Sequence, residues 1–286
     1  MALVNMNDML SQARQGHYAV GAFDLINLEF AEAILAAAEA QRAPVILSTA
    51  AVHFDYVNMK ALAPSLVRLA EEASVPVALH LDHGTDLAMA AQAIRLGFTG
   101  VQVDTAHLPL ADNIAVTREV VKLARAFDVS VEGELGYVAG HEGDHGHREI
   151  GDEPIYTEPD VAAVFTEATG IDCLAVSVGT VHGLLKGEPR IDFSRLKEIR
   201  EATPVPLVIH GGSGLSQETY GQLVESGMCK INFYAELSRT AADSIRERLR
   251  QKPDSDNITH LLGGMRQAVR QAAENKIRIW GSAGKA

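Results

Sequence analysis

The sequence contains few cysteines, few aromatic residues and no long apolar run. Cys173 and Cys229 are the only cysteines in 286 residues, and they lack the spacing of a thiolate metal site, which excludes a disulfide scaffold. No stretch reaches the roughly 18 uninterrupted apolar residues of a membrane span, and the first residues lack the apolar core of a signal peptide. We therefore expect two buried free thiols in a cytoplasmic protein with no membrane partner.

Positive charge is also scarce. Lys and Arg number 25 against 37 Asp and Glu, which gives a formal net charge of −12. Such a chain repels phosphate backbones at long range, so we expect no nucleic-acid partner. An anionic small substrate would need a local positive centre, such as a metal ion or a helix N-terminus.

Short apolar, β-branched runs alternate along the chain with longer segments of helical period. This alternation is typical of βα units around a parallel sheet. Eight runs predict strands, at about 19–24, 44–49, 76–82, 100–104, 129–135, 173–178, 206–210 and 230–234. Eight strands predict an α/β fold, a (β/α)8 TIM barrel, and we expect residues 1–286 to form a single domain.

The intervening segments carry the period of amphipathic helices, as in 28–41 and 111–127. One further helix, at about 258–275, would lie outside the eight units as an extra C-terminal helix. Short polar residues with N-cap chemistry stand at four loop-to-helix junctions. They are Asp86, Asp112, Asp192 and Ser216.

One polar loop, at 139–159, breaks this rhythm. Its length of about twenty residues far exceeds the usual 2–6 of a strand-to-helix loop in such folds. Long loops of this kind are usually functional lids or disordered segments, and both interpretations apply to this one.

Active-site residues of such barrels project from the C-terminal ends of the strands. Metal-binding and acid–base side chains follow strands three to eight of the predicted set. They are Asp82, His83, Asp104, His107, Glu132, Glu134, His182, His210 and Asn232. The chemistry is therefore expected on one rim.

Three histidines at three strand ends predict a catalytic zinc site. His83, His182 and His210 would bind Zn²⁺ through neutral imidazole nitrogens and leave a fourth position open. Asp104 and Glu134 would face the metal, either as carboxylates that orient the histidines or as ligands of an alternative metal site.

Two segments, HGLLKG after strand six and HGGSGLS after strand seven, combine glycines with a position just before a helix. Backbone amides in such loops approach a phosphate closely, and phosphate sites recur beside strands seven and eight of barrels. The sequence therefore favours a phosphorylated ligand.

The motifs LHLDHG, QVDTAH, ELG, VGTVHGLLKG, VIHGGSGL and KINFYAEL, in this order, resemble those of the class II fructose- and tagatose-bisphosphate aldolases. The resemblance runs from GAFDLINLE to the terminal WGSAGK. It implies a zinc enzyme, in many members with a monovalent cation (Na⁺ or K⁺), that assembles as a homodimer or homotetramer. Its substrate would be a phosphorylated sugar, a ketose 1-phosphate or 1,6-bisphosphate, cleaved to dihydroxyacetone phosphate and an aldehyde.

The resemblance also implies roles for individual residues. Asp82 matches the acid–base residue that handles the aldehyde oxygen, and Glu142 matches a loop glutamate that exchanges a carbon-bound proton. The residues that match substrate, phosphate or monovalent-cation contacts are Ser48, Gly183, Gly211, Gly212, Ser213, Asn232, Phe233, Tyr234 and Ala235.

The sequence departs from the family pattern at three positions. Asp24 stands where family members usually carry Asn, and Ala235 stands where they carry Thr. Gly84 replaces the usual His or Cys after the Asp-His pair. These departures leave the metal chemistry intact and bear on the sugar that is bound.

The positions of the lysines disfavour a Schiff-base aldolase. Neither Lys186, in a loop, nor Lys230, at the beginning of strand eight, stands where a Schiff-base amine should be buried. A zinc hydrolase on the same barrel, acting on a phosphorylated small molecule, is the first alternative. A binding or scaffold protein that retains only the barrel is the second.

Overall fold

The computed structural model describes residues 2–138, 155–183, 189–253 and 257–286. Eight parallel strands pair in chain order, and the last pairs with the first, so the sheet is a closed barrel. The strands are β1 Val20–Asp24, β2 Val45–Ala50, β3 Val77–Gly84, β4 Gly100–Val103, β5 Ser130–Leu135, β6 Cys173–Val176, β7 Leu207–Ile209 and β8 Met228–Phe233. The predicted TIM barrel is confirmed.

Helices surround this barrel, and one follows each strand. In the described residues the α-helices are α1 Met6–Gly16, α2 Leu28–Gln41, α3 Met59–Glu72, α4 Leu87–Arg95, α5 Leu110–Arg125, α6 Pro159–Thr169, α7 Phe193–Ala202, α8 Gln217–Glu225, α9 Ala235–Gln251 and α10 Ile258–Ile279, and a short 3-10 helix, Ala51–Asp55, follows β2. The extra C-terminal helix is α10, which is longer than predicted. None of these helices is long and apolar enough to cross a bilayer.

Side-chain caps start several of the helices. Asp86, Asp192 and Ser216 each accept a hydrogen bond from a first-turn amide, as predicted. The prediction for Asp112 is wrong, because α5 has already begun there. The Asp112 N–H donates to the carbonyl of Pro109, which occupies the N-cap position.

Helix α1, which was not predicted, packs against inward-facing strand residues at one end of the barrel. Met6 and Leu10 pack in one buried cluster with Ile46, Ala78 and Val208, inward-facing residues of three strands. The apolar residues of α1 recur at three and four spacings, which is a helical signal. Apolar side chains therefore fill the barrel interior at the end next to α1.

Candidate active site

Three histidines converge at the C-terminal ends of the strands. His83 is the penultimate residue of β3, His182 follows β6 and His210 follows β7. Their ring nitrogens lie within 4.8 Å of one another, and His83 Nε2 is 2.9 Å from His210 Nδ1. The structure thus brings together the three residues predicted to bind zinc.

Two of these histidine rings contact a carboxylate through the ring nitrogen that faces away from the cluster. Asp104 Oδ2 lies 2.8 Å from His83 Nδ1, and Glu132 Oε1 lies 2.8 Å from His210 Nε2. Such contacts fix the tautomer and the orientation of a metal-binding histidine. The two contacts leave His83 Nε2 and His210 Nδ1 facing the centre of the cluster. Asp104 is therefore the carboxylate that orients His83.

The donor set and its surroundings fit Zn²⁺. Two nitrogens on a tetrahedral zinc are roughly 3.3 Å apart, so the 2.9 Å between His83 Nε2 and His210 Nδ1 needs only a small widening. Burial, with a contribution from His83, lowers the pKa of His182 well below its ordinary value, so this ring is neutral, as a ligand must be. Burial also acts to lower the pKa of His83, but Asp82 and Asp104 outweigh it and raise this pKa well above its ordinary value. The centre of the cluster therefore favours positive charge.

The backbone of His83 is strained. Its φ of 48° lies in the left-handed region, which costs an L-residue about 1–2 kcal/mol. Gln102 holds this conformation, because its side-chain oxygen accepts the His83 N–H at 2.7 Å while its amide donates to Glu134 at 2.6 Å. A Cβ at Gly84 would lie 2.5 Å from the Gln102 carbonyl oxygen, so local packing explains why glycine follows the Asp-His pair here.

The carboxyl groups of Glu134 and Asp104 differ in their pKa values. Burial and, after it, Asp104 raise the pKa of Glu134 to about 7. For Asp104 burial acts to raise the pKa, but the hydrogen bond with His83 and the charges of His83 and His210 together outweigh it, and the pKa falls to about 2. These two residues and His83 also present ligand atoms within 4.8 Å of one another, a second group able to hold a cation.

Asp82 is fully buried beside the histidines, and its two oxygens differ. Oδ1 accepts a hydrogen bond from Asn232 Nδ2 at 2.8 Å. Oδ2 has no hydrogen-bond partner among the described residues and lies 3.9 Å from His83 Nε2. Oδ2 is therefore the oxygen available for proton transfer beside the cluster.

Lys230, which was not predicted to be buried, lies inside the barrel next to Asn232 and Glu132. Lys230 is fully buried, contrary to expectation, and its Nζ contacts Glu132 Oε2 at 2.8 Å and donates to Asn232 Oδ1 at 2.6 Å. Burial acts to lower the pKa of Lys230, but Glu132 and Asp82 outweigh it and raise that pKa. The raised pKa favours the cationic form of Lys230, whereas a Schiff base needs a neutral amine.

Glu132 was predicted to lie on the polar rim but without a specific role, and Lys230 was not predicted to belong to the site. Lys230 and Asn232 share the inward face of β8, and Glu132 and Glu134 share that of β5. Charged residues at alternate positions of two strands signal a polar layer inside the barrel, since side chains alternate between the faces. That period of two is the signal that identifies them.

The glycine segment after β7 lies close to neighbouring backbone. Gly211 has a φ of 65°, and a Cβ there would collide with the Val181 carbonyl oxygen, so only glycine fits. Gly183 also has a positive φ, of 89°. Ser213 is buried, and Gly212 and Gly214 are hydrogen-bonded to Tyr220 and Glu236. The predicted phosphate loop is therefore a fixed element.

The other residues predicted to contact the substrate lie in different surroundings. Ser48 is fully buried beside Asp24 in the barrel register, and its hydroxyl has no hydrogen-bond partner among the described residues. Tyr234 and Ala235 lie at the start of α9, which follows the barrel's last strand. Phe233 packs against Phe23 and Trp280, on the helix side of the strand, so its side chain faces away from the histidines.

A cavity of about 420 Å³ opens beside the histidines. Val52, Met89 and Val138 form apolar parts of its wall, while Asp104 and Glu134 form polar parts. Space for a small organic molecule is thus next to the candidate metal ligands. The predicted catalytic residue Glu142 lies outside the described residues, as does Lys186.

Comparison with known proteins agrees with this geometry. The family model of class II fructose-bisphosphate aldolase matches residues 4–285. Relatives include a protein of Bacillus subtilis (strain 168) named "Probable fructose-bisphosphate aldolase", 42% identical over all of both chains, and the fructose-bisphosphate aldolase of Geobacillus stearothermophilus, 40% identical over 100% of this chain and 99% of the other. The crystal structure of the YdjI aldolase from Escherichia coli K12 is similar, with a TM-score of 0.88, 32% identity and 99% of each chain covered. The chain belongs to the class II fructose-bisphosphate aldolase family, and the enzyme is a lyase.

Proposed function

We propose that this enzyme is a zinc-dependent aldolase that reversibly cleaves a ketose 1-phosphate or 1,6-bisphosphate into dihydroxyacetone phosphate and an aldehyde. The observation that carries the proposal is the convergence of His83, His182 and His210 beside the buried Asp82. Family membership supports an aldolase over the zinc hydrolase that the sequence left open.

His83, His182 and His210 would hold the zinc ion. When bound, zinc supplies a Lewis acid for the negative charge that develops on the ketose half during cleavage. Asp104 and Glu132 keep two of the histidine rings in place through bonds of 2.8 Å. Glu134 either supports them or binds a second cation with Asp104.

Asp82 is the acid–base residue of the proposed mechanism. In the cleavage direction its Oδ2 takes the proton from the C4 hydroxyl, so that this oxygen becomes the aldehyde. Asn232 occupies Oδ1, which leaves Oδ2 for this transfer. Glu142, in the long polar loop, would then protonate the carbon from which the aldehyde departed.

The phosphate of the ketose half would bind at the loops after β6 and β7. Gly183, Gly211, Gly212 and Ser213 supply backbone amides and a hydroxyl there, together with a site for Na⁺ or K⁺. Ser48, Asn232, Tyr234 and Ala235 would contact the sugar, and Phe233 would do so only through its backbone. Asp24, fully buried next to Ser48, places a carboxylate near this end of the barrel.

We further propose that residues 1–286 act as one domain in a cytoplasmic homodimer or homotetramer. Two free cysteines, both buried, are compatible with a reducing compartment. The acidic chain would have neither nucleic acid nor membrane as a partner. Sedimentation of the purified protein would give the size of the assembly.

The test is condensation of dihydroxyacetone phosphate with a panel of phosphorylated and unphosphorylated aldehydes by the zinc-loaded protein, followed by mass spectrometry. We expect a ketose phosphate whose mass is the sum of the two reactants. Release of inorganic phosphate without a carbon–carbon product would instead support the hydrolase. The aldehyde that reacts fastest would show whether the ketose carries one phosphate or two.

A further inference from the structure

Lys276, on the C-terminal helix α10, has its ammonium group inside the protein. Its side chain is only 7% exposed, and Nζ lies 4.8 Å from the centre of the Tyr220 ring and 4.9 Å from that of Phe233. Nζ also contacts Glu236 Oε2 at 3.0 Å and donates to the Tyr220 hydroxyl at 3.4 Å. The ammonium thus joins α10 to one residue of α8 and one of α9.

Both partners of Lys276 bind the glycine segment after β7. The Tyr220 hydroxyl donates to the Gly212 carbonyl oxygen at 2.5 Å, and Glu236 Oε2 accepts the Gly214 N–H at 3.1 Å. Burial and, after it, Glu236 raise the pKa of the Tyr220 hydroxyl, so Tyr220 keeps the proton that it donates.

These two contacts fix the peptide planes on either side of Ser213. In a trans peptide the C=O and the following N–H point in opposite directions. Because the Gly212 C=O is directed at Tyr220, the Ser213 N–H is directed away from it. The Gly214 N–H is likewise held by Glu236, which sets the direction of the Ser213 C=O.

A lysine buried only for packing would not need this arrangement. A buried ammonium is unfavourable unless it is paired, and methionine fills similar space without charge. Among the described residues, the Lys276 ammonium contacts Glu236, Tyr220 and the Phe233 ring. Its two hydrogen-bonding partners, Glu236 and Tyr220, are the residues that hold the loop. The charge therefore supports the loop rather than the apolar core.

We propose that Lys276 is a positioning residue that sets the phosphate-binding geometry of the 211–214 segment through Tyr220 and Glu236. The inference rests on the proposed function, in which this segment binds the phosphate of dihydroxyacetone phosphate. It assigns to α10 a part in substrate binding, although the helix lies outside the eight βα units.

The experiment compares wild type, Lys276→Met and Tyr220→Phe by calorimetric titration of the zinc-loaded proteins with dihydroxyacetone phosphate. We expect Kd to rise roughly tenfold in Lys276→Met, because a charged hydrogen-bond network is lost. The zinc content should remain that of wild type, and KM should rise while kcat changes little. The matched control is Arg270→Met, which removes a half-exposed charge paired with Glu274 on the same helix and should bind like wild type.

The outcomes separate the two proposals. If wild type itself fails to bind dihydroxyacetone phosphate, the proposed function is wrong. If wild type binds and Lys276→Met binds equally well, the positioning role is overturned. Should Lys276→Met not fold, Tyr220→Phe decides alone: a severalfold weaker affinity is expected when the bond to Gly212 is removed, and an unchanged affinity contradicts the inference.

Discussion

Asn232 donates a hydrogen bond from Nδ2 to Asp82 Oδ1 over 2.8 Å, although 150 positions separate the two residues. The other end of the same amide is occupied, because Lys230 donates to Asn232 Oδ1 at 2.6 Å. The amide therefore cannot flip without losing both bonds. Lys230 in this way keeps Asn232 Nδ2 directed at Asp82 Oδ1, while Asp82 Oδ2 has no hydrogen-bond partner among the described residues.

The first prediction concerns that free oxygen. Asp82→Asn keeps the size of the side chain but cannot accept a proton, so cleavage should fall on the order of 10²-fold or more. Zinc content and thermal stability should stay close to those of wild type. Steady-state kinetics with parallel metal analysis checks this, and near-wild-type turnover would remove Asp82 from the mechanism.

A second prediction concerns the buried pair of Lys230 and Glu132. Lys230→Met leaves the Glu132 carboxylate buried without its ammonium partner, which should lower the free energy of unfolding by about 3–5 kcal/mol. The double variant Lys230→Met/Glu132→Gln should lose less than the sum of the two single variants. Urea unfolding of all four proteins measures this coupling. Strictly additive losses would show that the pair does not act as a unit.

The same pair predicts how stability depends on pH. Burial acts to raise the pKa of Glu132, but Lys230 and His210 outweigh it and lower this pKa below the ordinary 4.5, while the pKa of Lys230 is raised above 10.5. The contribution of Glu132 is therefore complete above pH 4.5 and lost as the pH falls through its folded pKa. Lys230 contributes fully below pH 10.5 and less at higher pH.

Unfolding measured with a chelator present, so that zinc release does not contribute, checks this window. The stability advantage of wild type over Glu132→Gln should be constant at neutral pH and shrink in acid. An advantage that grows as the pH falls below 4.5 would reverse the assigned direction of the shift.

The sequence was sufficient to predict the barrel and the convergence of the histidines. Eight apolar runs define the strands, and parallel strands place their C-terminal ends on one rim, so His83, His182 and His210 had to meet there. Lys230 was different. Its burial depends on a carboxylate from β5 reaching it across the barrel, and no local pattern in β8 reveals that partner. The sequence of α10 likewise has a clear helical period, but it does not indicate that Lys276 contacts Tyr220 and Glu236.

Glu142 supports a prediction of its own. This residue lies outside the described residues, and its role rests on the family resemblance. Glu142→Ala should nearly abolish exchange of the C3 proton of dihydroxyacetone phosphate with solvent, while binding of the ligand changes little. Proton exchange followed by NMR, together with calorimetric binding, distinguishes the two effects. Exchange at the normal rate would transfer this role to another base, and a collapse of binding would make the loop structural.

The most direct test of the account is a zinc titration of the metal-free protein, followed by exchange of the C3 proton of dihydroxyacetone phosphate. If His83, His182 and His210 hold one catalytic ion, exchange should be absent without metal, rise in proportion to added zinc and level off at about one equivalent per chain. His182→Ala should bind zinc far more weakly and show no such rise. Full exchange in demonstrably metal-free protein, or none at any zinc concentration, would contradict the assignment of this cluster as the catalytic centre.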